Sequence, residues 1–478
     1  MSASFRYSTA SVNTIATALP LYAINDGRPP TYASFGIPHN SARADSRQAL
    51  PSRLDGEPGT THHLELRQHK GQPPWVTVEF SSHAHKETDV PHFCSGSTIK
   101  GSVSLVPYAF KNTRSISLQI RGRLVENPNR NISSTAIPPR SSTFCSTNEV
   151  LWSKSLAPIH PNSSGNCKIP FEVAFPSKMS PSPGAINTSP GLPPSFEEEI
   201  CAVQVKYEIT WLVEKAGLFK SVSRLHTQAR YTPLVTPAPF TMLRQVAYHN
   251  GLPVPDYLAD PDGWKNVSFA HFGKLSGKEM VVNGTLRLPK PLCYTRGYQV
   301  PICLEVVLQS PTDRDPGALF DVHLRRVVRL LKPGVTSKKP TDDEIARVDV
   351  RVGDVKWQRE HREGQSVRLD GELYVHELLQ PSCSLPISGI EYYVSVEPRR
   401  GVDWVLSHTS RTNALLQEPV EVASQLPSGP CPPSPVDSAN RANWLRDPAG
   451  ALGGQTGTGQ PSISCLPTRS DGHSWTWV

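Results

Sequence analysis

Few residues in this sequence have the type and spacing that chemistry needs. His376-Glu-Leu-Leu-Gln380 opens like a zinc-protease helix, where two histidines four apart hold the metal and the glutamate is the base. A glutamine stands where the second histidine belongs, and the run follows a predicted strand, so it reads as no metal site. Asp260-Pro-Asp-Gly263 has two acids and a glycine at calcium-loop spacing. It lacks the third acid and the closing glutamate and reads as a plain turn. No Gly-x-Ser-x-Gly elbow and no phosphate loop occurs, and the 16 histidines are dispersed. Cysteines stand at 94, 145, 167, 201, 293, 303, 383, 431 and 465, without a Cys-x-x-Cys pair. An odd, scattered set argues for reduced thiols over a disulfide framework or a zinc site. The expectation is a protein that is not an enzyme, with no catalytic residues, no metal and no cofactor.

Binding signals are better. Arg28-Pro-Pro-Thr-Tyr-Ala33 contains Pro29-Pro30-x-Tyr32, and Leu19-Pro20-Leu21-Tyr22 is a related Leu-Pro-x-Tyr form. Adjacent prolines hold a polyproline II shape before binding, so little ordering entropy is lost. Their rings fit between the aromatic side chains of a WW domain, and the tyrosine two residues on fills a neighbouring pocket. The second signal is the basic strand His323-Leu-Arg-Arg-Val-Val-Arg-Leu-Leu-Lys332, followed by Lys338 and Lys339. Arg325, Arg326, Arg329 and Lys332 there are candidates for contact with an acidic or phosphorylated segment or an anionic lipid surface. The plainer alternative is the solvated outer face of a strand.

These residues need elements to position them, and composition narrows which. The chain has 478 residues, 47 of them proline, and is 19% charged and 37% hydrophobic. Proline at roughly twice its usual share rules out a fold of long helices. The low apolar fraction predicts that part of the chain is unfolded. A net charge of +7 over this length is mild, and no block of basic residues with aromatic platforms marks a nucleic-acid binder. No run of about 18 apolar residues predicts a membrane span. The first 25 residues lack the apolar core of a signal peptide. The Asn-x-Ser/Thr sequons at Asn131, Asn162, Asn187, Asn266 and Asn283 then read as by-products of a Ser/Thr-rich chain.

Residues 1–73 read as a disordered segment. Alternation begins at Pro74-Trp75-Val76 and returns at Gly101–Val106, Ser115–Gly122 and Lys168–Phe175. It is sharpest at Val203–Val213, where Val203, Val205, Tyr207, Ile209, Trp211 and Val213 share one face. Strict period two means a half-buried antiparallel strand. Leu218–Tyr231 is placed to pair with it across Lys215-Ala-Gly217. The Pro-rich stretch 233–265, with a short helix over Thr241–Tyr248, reads as a connector. A second series runs through Met280–Leu288, Gln299–Gln309, Leu319–Leu331, Ile345–Trp357, Ser366–Val375 and Ile390–Glu397, with a further strand near Gly401–Ser407. Gly353 is placed as a bulge. Residues 426–478 read as a disordered tail. Each series holds about six to eight strands, the signature of two consecutive antiparallel β-sandwich domains over 74–232 and 266–425. Closed barrels fit the periodicity almost as well.

The run Phe93-Cys-Ser-Gly96-Ser-Thr-Ile99-Lys-Gly101-Ser-Val103 resembles the Gly-x-x-hydrophobic-x-Gly-x-Val pattern of arrestin N-domains. Lys290-Pro-Leu-Cys-Tyr-Thr-Arg-Gly297-Tyr-Gln-Val-Pro-Ile302 is similar to the start of their C-domains. With Leu151-Trp-Ser-Lys-Ser155 and Asp260-Pro-Asp-Gly-Trp264, residues 74–425 resemble the fungal alpha-arrestin family, in its basidiomycete form. The resemblance implies a non-catalytic adaptor, cytoplasmic and peripheral to the plasma membrane or endosomes. Such a protein would link a membrane transporter or receptor tail to a WW-domain HECT-type ubiquitin ligase, for ubiquitination and endocytosis. Pro29, Pro30 and Tyr32 would hold the ligase, with Pro20 and Tyr22 as a second site. No tyrosine follows Tyr393, so recruitment would fall to the N-terminal segment. The other readings are a scaffold without a ligase that binds a membrane-associated partner, and a β-sandwich enzyme or secreted carbohydrate-binding protein.

Overall fold

The computed structural model describes residues 59–432 apart from 70, 127–139, 156–165, 181–189, 199–202, 217–220, 276, 310–317, 333–334, 336–340, 342–343, 365, 400, 403 and 407–413. The architecture is mainly β, with several sheets and two short helices among the described residues. The first half holds β1 Thr60–Leu66, β2 Val76–Ser82, β3 His92–Cys94, β4 Thr98–Leu105, β5 Thr113–Glu126 and β6 Arg140–Ser153. It continues with β7 Cys167–Ala174, β8 Phe196–Glu198, β9 Val203–Lys215 and β10 Val222–Thr232. A one-turn helix, α1 Pro107–Lys111, precedes β5, and α2 Met242–His249 follows β10. The second half holds β11 Trp264–Leu275, β12 Lys278–Pro289, β13 Cys293–Thr295, β14 Gln299–Leu308, β15 Phe320–Leu331 and β16 Ile345–Glu363. Then come β17 Ser366–Tyr374, β18 Cys383–Leu385, β19 Ser388–Pro398, β20 Trp404–Leu406 and β21 Leu416–Ala423.

The strand orders of the two halves match. The first half has one sheet ordered β1-β2-β4-β7 and another ordered β3-β10-β9-β5-β6, with β8 on β9. The second half repeats them as β11-β12-β14-β17 and β13-β21-β19-β15-β16, with β18 on β19. β20 is an addition, paired to β11. In each half the short third strand runs parallel to the last one, β3 to β10 and β13 to β21. Each of these short strands then turns through a glycine at positive φ, Gly96 at 79° and Gly297 at 84°, which a side chain would strain. The second half departs in one respect. The first part of β16, up to Asp354, pairs with β15, and the part from Val355 onward pairs with β17. One long strand thereby changes partner and joins its two sheets into a continuous path. Its register slips where Leu324 faces Gly353 and Arg325 faces Arg351, leaving Val352 without an opposite number. The irregularity therefore lies beside the glycine that the sequence marks as a bulge.

The period-two pattern places the core. Val203, Val205, Tyr207, Ile209, Trp211 and Val213 of β9 are all buried. Ring contacts tie this strand to the other sheet of its half: Phe80 of β2 at 5.0 Å and Phe171 of β7 at 6.2 Å from Trp211. Phe175 lies 5.8 Å from Tyr207 and stacks at 5.3 Å on Tyr231 of β10. The buried Tyr207 hydroxyl donates to the Pro193 carbonyl at 2.7 Å. Gly101 of β4 sits opposite Phe80 and Phe171 in register. A Cβ there would lie 2.1 Å from the Glu79 carbonyl oxygen and 2.8 Å from the Phe171 ring, so close backbone approach demands glycine.

The alternating runs noted in the sequence coincide with strands, including the β9–β10 hairpin. β1 is a correction, because it lies inside the stretch assigned to the disordered segment. Its sequence, Thr-Thr-His-His-Leu-Glu-Leu, places only Leu64 and Leu66 as apolar side chains on the inward face, a stripe of two. His62 takes the buried place on that face, 2.8 Å from the Ser82 hydroxyl and 3.0 Å from the Glu87 carbonyl. Polar edge strands escape a hydrophobicity pattern for this reason. β11 is a second correction: it begins at Trp264, inside the stretch that reads as connector, and buries Trp264, Phe269 and Leu275.

Candidate functional site

Pro20, Tyr22, Pro29, Pro30 and Tyr32 lie outside the described residues. The basic strand is β15, and the structure splits its four candidates. Arg326 faces inward with Leu324, Val328 and Leu330; it is only 3% exposed and donates to the Gln380 side chain at 3.0 Å. Arg325 and Arg329 share the opposite face. Arg325 donates to Asp349 of β16 at 3.0 Å and to Glu397 of β19 at 2.5 Å, and Arg329 pairs with Glu391 of β19. Lys332 is half-buried past the strand end, its N–H bonded to the Glu344 carbonyl at 2.9 Å. The run is basic in sequence, but its neighbours bring carboxylates from far along the chain. Three of the four residues are thus spent within the fold: one buried, two ion-paired. This is the cross-strand pairing of opposite charges that stabilises sheets.

Glu397 anchors that network. Burial alone would push its carboxyl up, but His323 at 3.3 Å and Arg325 hold it down to about 2. A carboxyl with a depressed folded value adds stability that is complete above its unfolded value, near pH 4.5, and is lost as pH falls towards about 2. Glu397→Gln is expected to cost about 2 kcal/mol at neutral pH, a figure reduced for partial exposure. The gap between variant and parent should close on acidification from pH 4.5 to about pH 2. Denaturant titrations of both proteins at several pH values measure it; a gap that ignores pH would assign the loss to packing instead.

The remaining chemical candidates resolve into structure. His376 lies in a turn after β17, where its Nδ1 accepts the Leu378 N–H at 3.1 Å. Asp260-Pro-Asp-Gly263 is a single 3-10 turn, and the buried Asp260 carboxylate accepts the Thr241 hydroxyl at 2.6 Å. Among the described residues no group of acids, histidines and cysteines could hold a metal, and the cysteines form no disulfide. Burial raises the thiols of Cys145 and Cys303 to about 11, keeping them protonated and weakly nucleophilic at neutral pH. No helix among the described residues is long and apolar enough to cross a membrane.

The concentration of polar and apolar features lies where the halves meet. Residues 233–236 leave β10 and are pinned on both sides. The Leu234 N–H donates to Ser95 at 3.2 Å, and the Val235 N–H donates to the Ser424 hydroxyl at 2.8 Å. The N–H groups of Ser424 and Gln425 return to the Val235 carbonyl at 3.1 and 3.0 Å. Beside this seam a cleft of about 460 Å³ is lined by Thr236, Pro237, Leu292, Cys293, Val420 and Glu421. Burial first, then Glu421, pushes the Cys293 thiol up to about 12, so the cleft holds no thiolate. His92 lies against Thr232 at 2.9 Å, and burial together with Arg230 and Arg296 draws it down to about 3. It is therefore neutral at physiological pH.

Beyond the seam, α2 is held by a buried arginine. Thr241 caps the helix, accepting the Arg244 N–H at 3.4 Å. The Arg244 guanidinium donates to the carbonyls of Lys290 at 2.7 Å and Gly263 at 2.9 Å. It lies 5.6 Å from the Trp264 ring and 5.8 Å from that of Phe240. Farther on, the Tyr257 ring sits between Arg287 at 3.9 Å and Arg368 at 4.9 Å, pinning the connector to β12 and β17. The sequence marks the short helix but not its orientation. By the usual amphipathic rule, Met242, Leu243 and Val246, which stand at helical spacing, would pack as a stripe against a core. The structure turns that stripe outward and Arg244 inward.

No protein-family model matches the sequence, and no curated protein does.

Proposed function

We propose that this chain is an adaptor: two consecutive arrestin-like β-sandwich domains, β1–β10 and β11–β21, that carry a WW-domain ligand in front of them. The observation that carries the proposal is Pro29-Pro30-Thr31-Tyr32, with Leu19-Pro20-Leu21-Tyr22 ahead of it. It is supported by the repeated strand order of the two halves, which suits a tandem of similar sandwiches, and by ring contacts linking the two sheets of the first half. The resemblance of residues 74–425 to alpha-arrestins makes the WW partner a HECT-type ubiquitin ligase and the cargo a membrane transporter or receptor. The adaptor would then work on the cytoplasmic side of the plasma membrane or of endosomes. The charge-matched strand β15 has no part in the proposal, since Arg325 and Arg329 already have carboxylate partners.

The test uses the full chain against an immobilised WW-domain pair from a HECT-type ligase. Tyr32→Ala is expected to weaken retention at least about tenfold, because the tyrosine fills its own pocket on the WW domain. Tyr22→Ala should weaken it less, and the double variant should abolish it. Equal retention of parent and double variant would overturn the ligase assignment and leave a scaffold without a ligase.

A further inference from the structure

Helix α2 is inverted relative to a surface helix of a globular protein. Arg244 is 1% exposed, whereas Met242 is 73%, Leu243 55% and Val246 49% exposed. At about 100° per residue these three side chains fall within an arc of roughly 100°, with Arg244 on the opposite side. Arg244 is fixed underneath by two carbonyls, so the helix cannot roll its apolar stripe inward without breaking both bonds. An apolar stripe held outward by buried hydrogen bonds marks a surface made to be covered.

The geometry points to this chain's own continuation as the cover. The last described residues run along the flank of α2. A Cβ on Gly429 would lie 2.9 Å from the Gln245 side-chain oxygen, and the Tyr248 phenol is influenced by Cys431. On the helix, Gln245 lies about 60° from Met242, on the edge of the exposed stripe. The chain thus passes the border of the apolar face and continues into residues 433–478. The nearest large apolar pair in that stretch is Trp444-Leu445, preceded by Val436, Ala439 and Ala442. Counted from Pro432, Trp444 lies within a tether of roughly 40 Å at full extension, whereas an eight-residue helix is about 12 Å long, so reach is no obstacle. A short tether also supplies an effective concentration on the order of millimolar, which a second copy or a free partner does not match at cellular levels. The segment Val436–Leu445 therefore docks on the Met242, Leu243 and Val246 face of the same chain, with Trp444 and Leu445 as its anchors. This contact does not depend on WW recognition by the N-terminal motifs.

The test places the photo-crosslinker p-benzoylphenylalanine at Met242 in the full chain, at submicromolar concentration, and identifies products by mass spectrometry. The expected product has the mass of one chain and joins α2 to the peptide containing Trp444. Its yield should fall at least tenfold when Trp444→Ala and Leu445→Ala are combined. In hydrogen exchange, amides of residues 436–446 should be protected at least tenfold in the parent and lose that protection in Val246→Glu, an exposed position where the fold is not at stake. Products joining two chains would assign the face to a second copy, and products on lipid in added phosphatidylcholine–phosphatidylserine vesicles would assign it to a membrane. Either result overturns the proposal, as does an intrachain product at Trp475 or Trp477, or unprotected amides across 436–446.

Discussion

Trp211→Ala is expected to lower the stability of the first half by about 4 kcal/mol, the largest effect of any single truncation considered for this chain. Trp211 is fully buried at the middle of β9, flanked in register by Leu118 of β5 and Leu225 of β10. Its ring also meets Phe80 and Phe171 from the other sheet, so truncation opens a cavity that no one element can close. The indole Nε1 is buried without a hydrogen-bond partner among the described residues, so the residue is kept for its ring and at a cost for its N–H. Trp211→Phe keeps a ring and removes that orphan donor, and its loss should be limited to about 1–2 kcal/mol. Urea unfolding followed by far-UV circular dichroism distinguishes the two. Because a chain of two similar halves need not unfold in one step, only the first-half transition should move. A shift below about 1 kcal/mol for the alanine variant would remove Trp211 from the centre of that core.

That core was legible because β9 is buried along one whole face, and burial on one face leaves an uninterrupted stripe from Val203 to Val213. The same signal located β2, β7, β12, β14 and β17. It is weak where a strand has little to bury, and it is silent at β21, whose buried face is interrupted by Glu418. β1 carries His62 in its inward place, and most of the β6 side chains are exposed or half-buried. The repeat of strand orders was hidden for a different reason. Topology is set by hydrogen-bond pairing between backbones, which a side-chain pattern along the chain does not report. β15 shows a third limit: the sequence gives the charges of His323–Lys332 but not Asp349, Glu391 and Glu397, which arrive from other strands and neutralise two of its arginines. At α2 the sequence marks a short helix, and the structure has one over Met242–His249, but the sequence does not say which face is inward. A pair of carbonyls from Gly263 and Lys290, both beyond the connector helix, decides it.

Those carbonyls set the second large effect. Arg244→Ala is expected to cost about 3 kcal/mol, because it leaves two buried acceptors unpaired at roughly 1–3 kcal/mol apiece, partly offset by relaxation. Burial already draws the Arg244 guanidinium below its usual value, so its desolvation is compensated only while both bonds and the flanking rings are in place. Arg244→Lys should not rescue the loss. A single ammonium on a flexible stem does not reproduce a planar fork that meets the Lys290 and Gly263 carbonyls together. The damage should be local first. Hydrogen exchange over residues 242–249 should rise well before any change in β9, since the buried arginine of α2 is anchored at the start of β11. Equal destabilisation of both regions would mean that the connector is part of one cooperative unit with the first half. Retention of exchange protection in the alanine variant would mean that the capping Thr241 and its Asp260 partner suffice to hold the helix. In either case the outward stripe of Met242, Leu243 and Val246 depends on what lies beneath it, because only an anchored helix can keep apolar side chains in water for something else to cover.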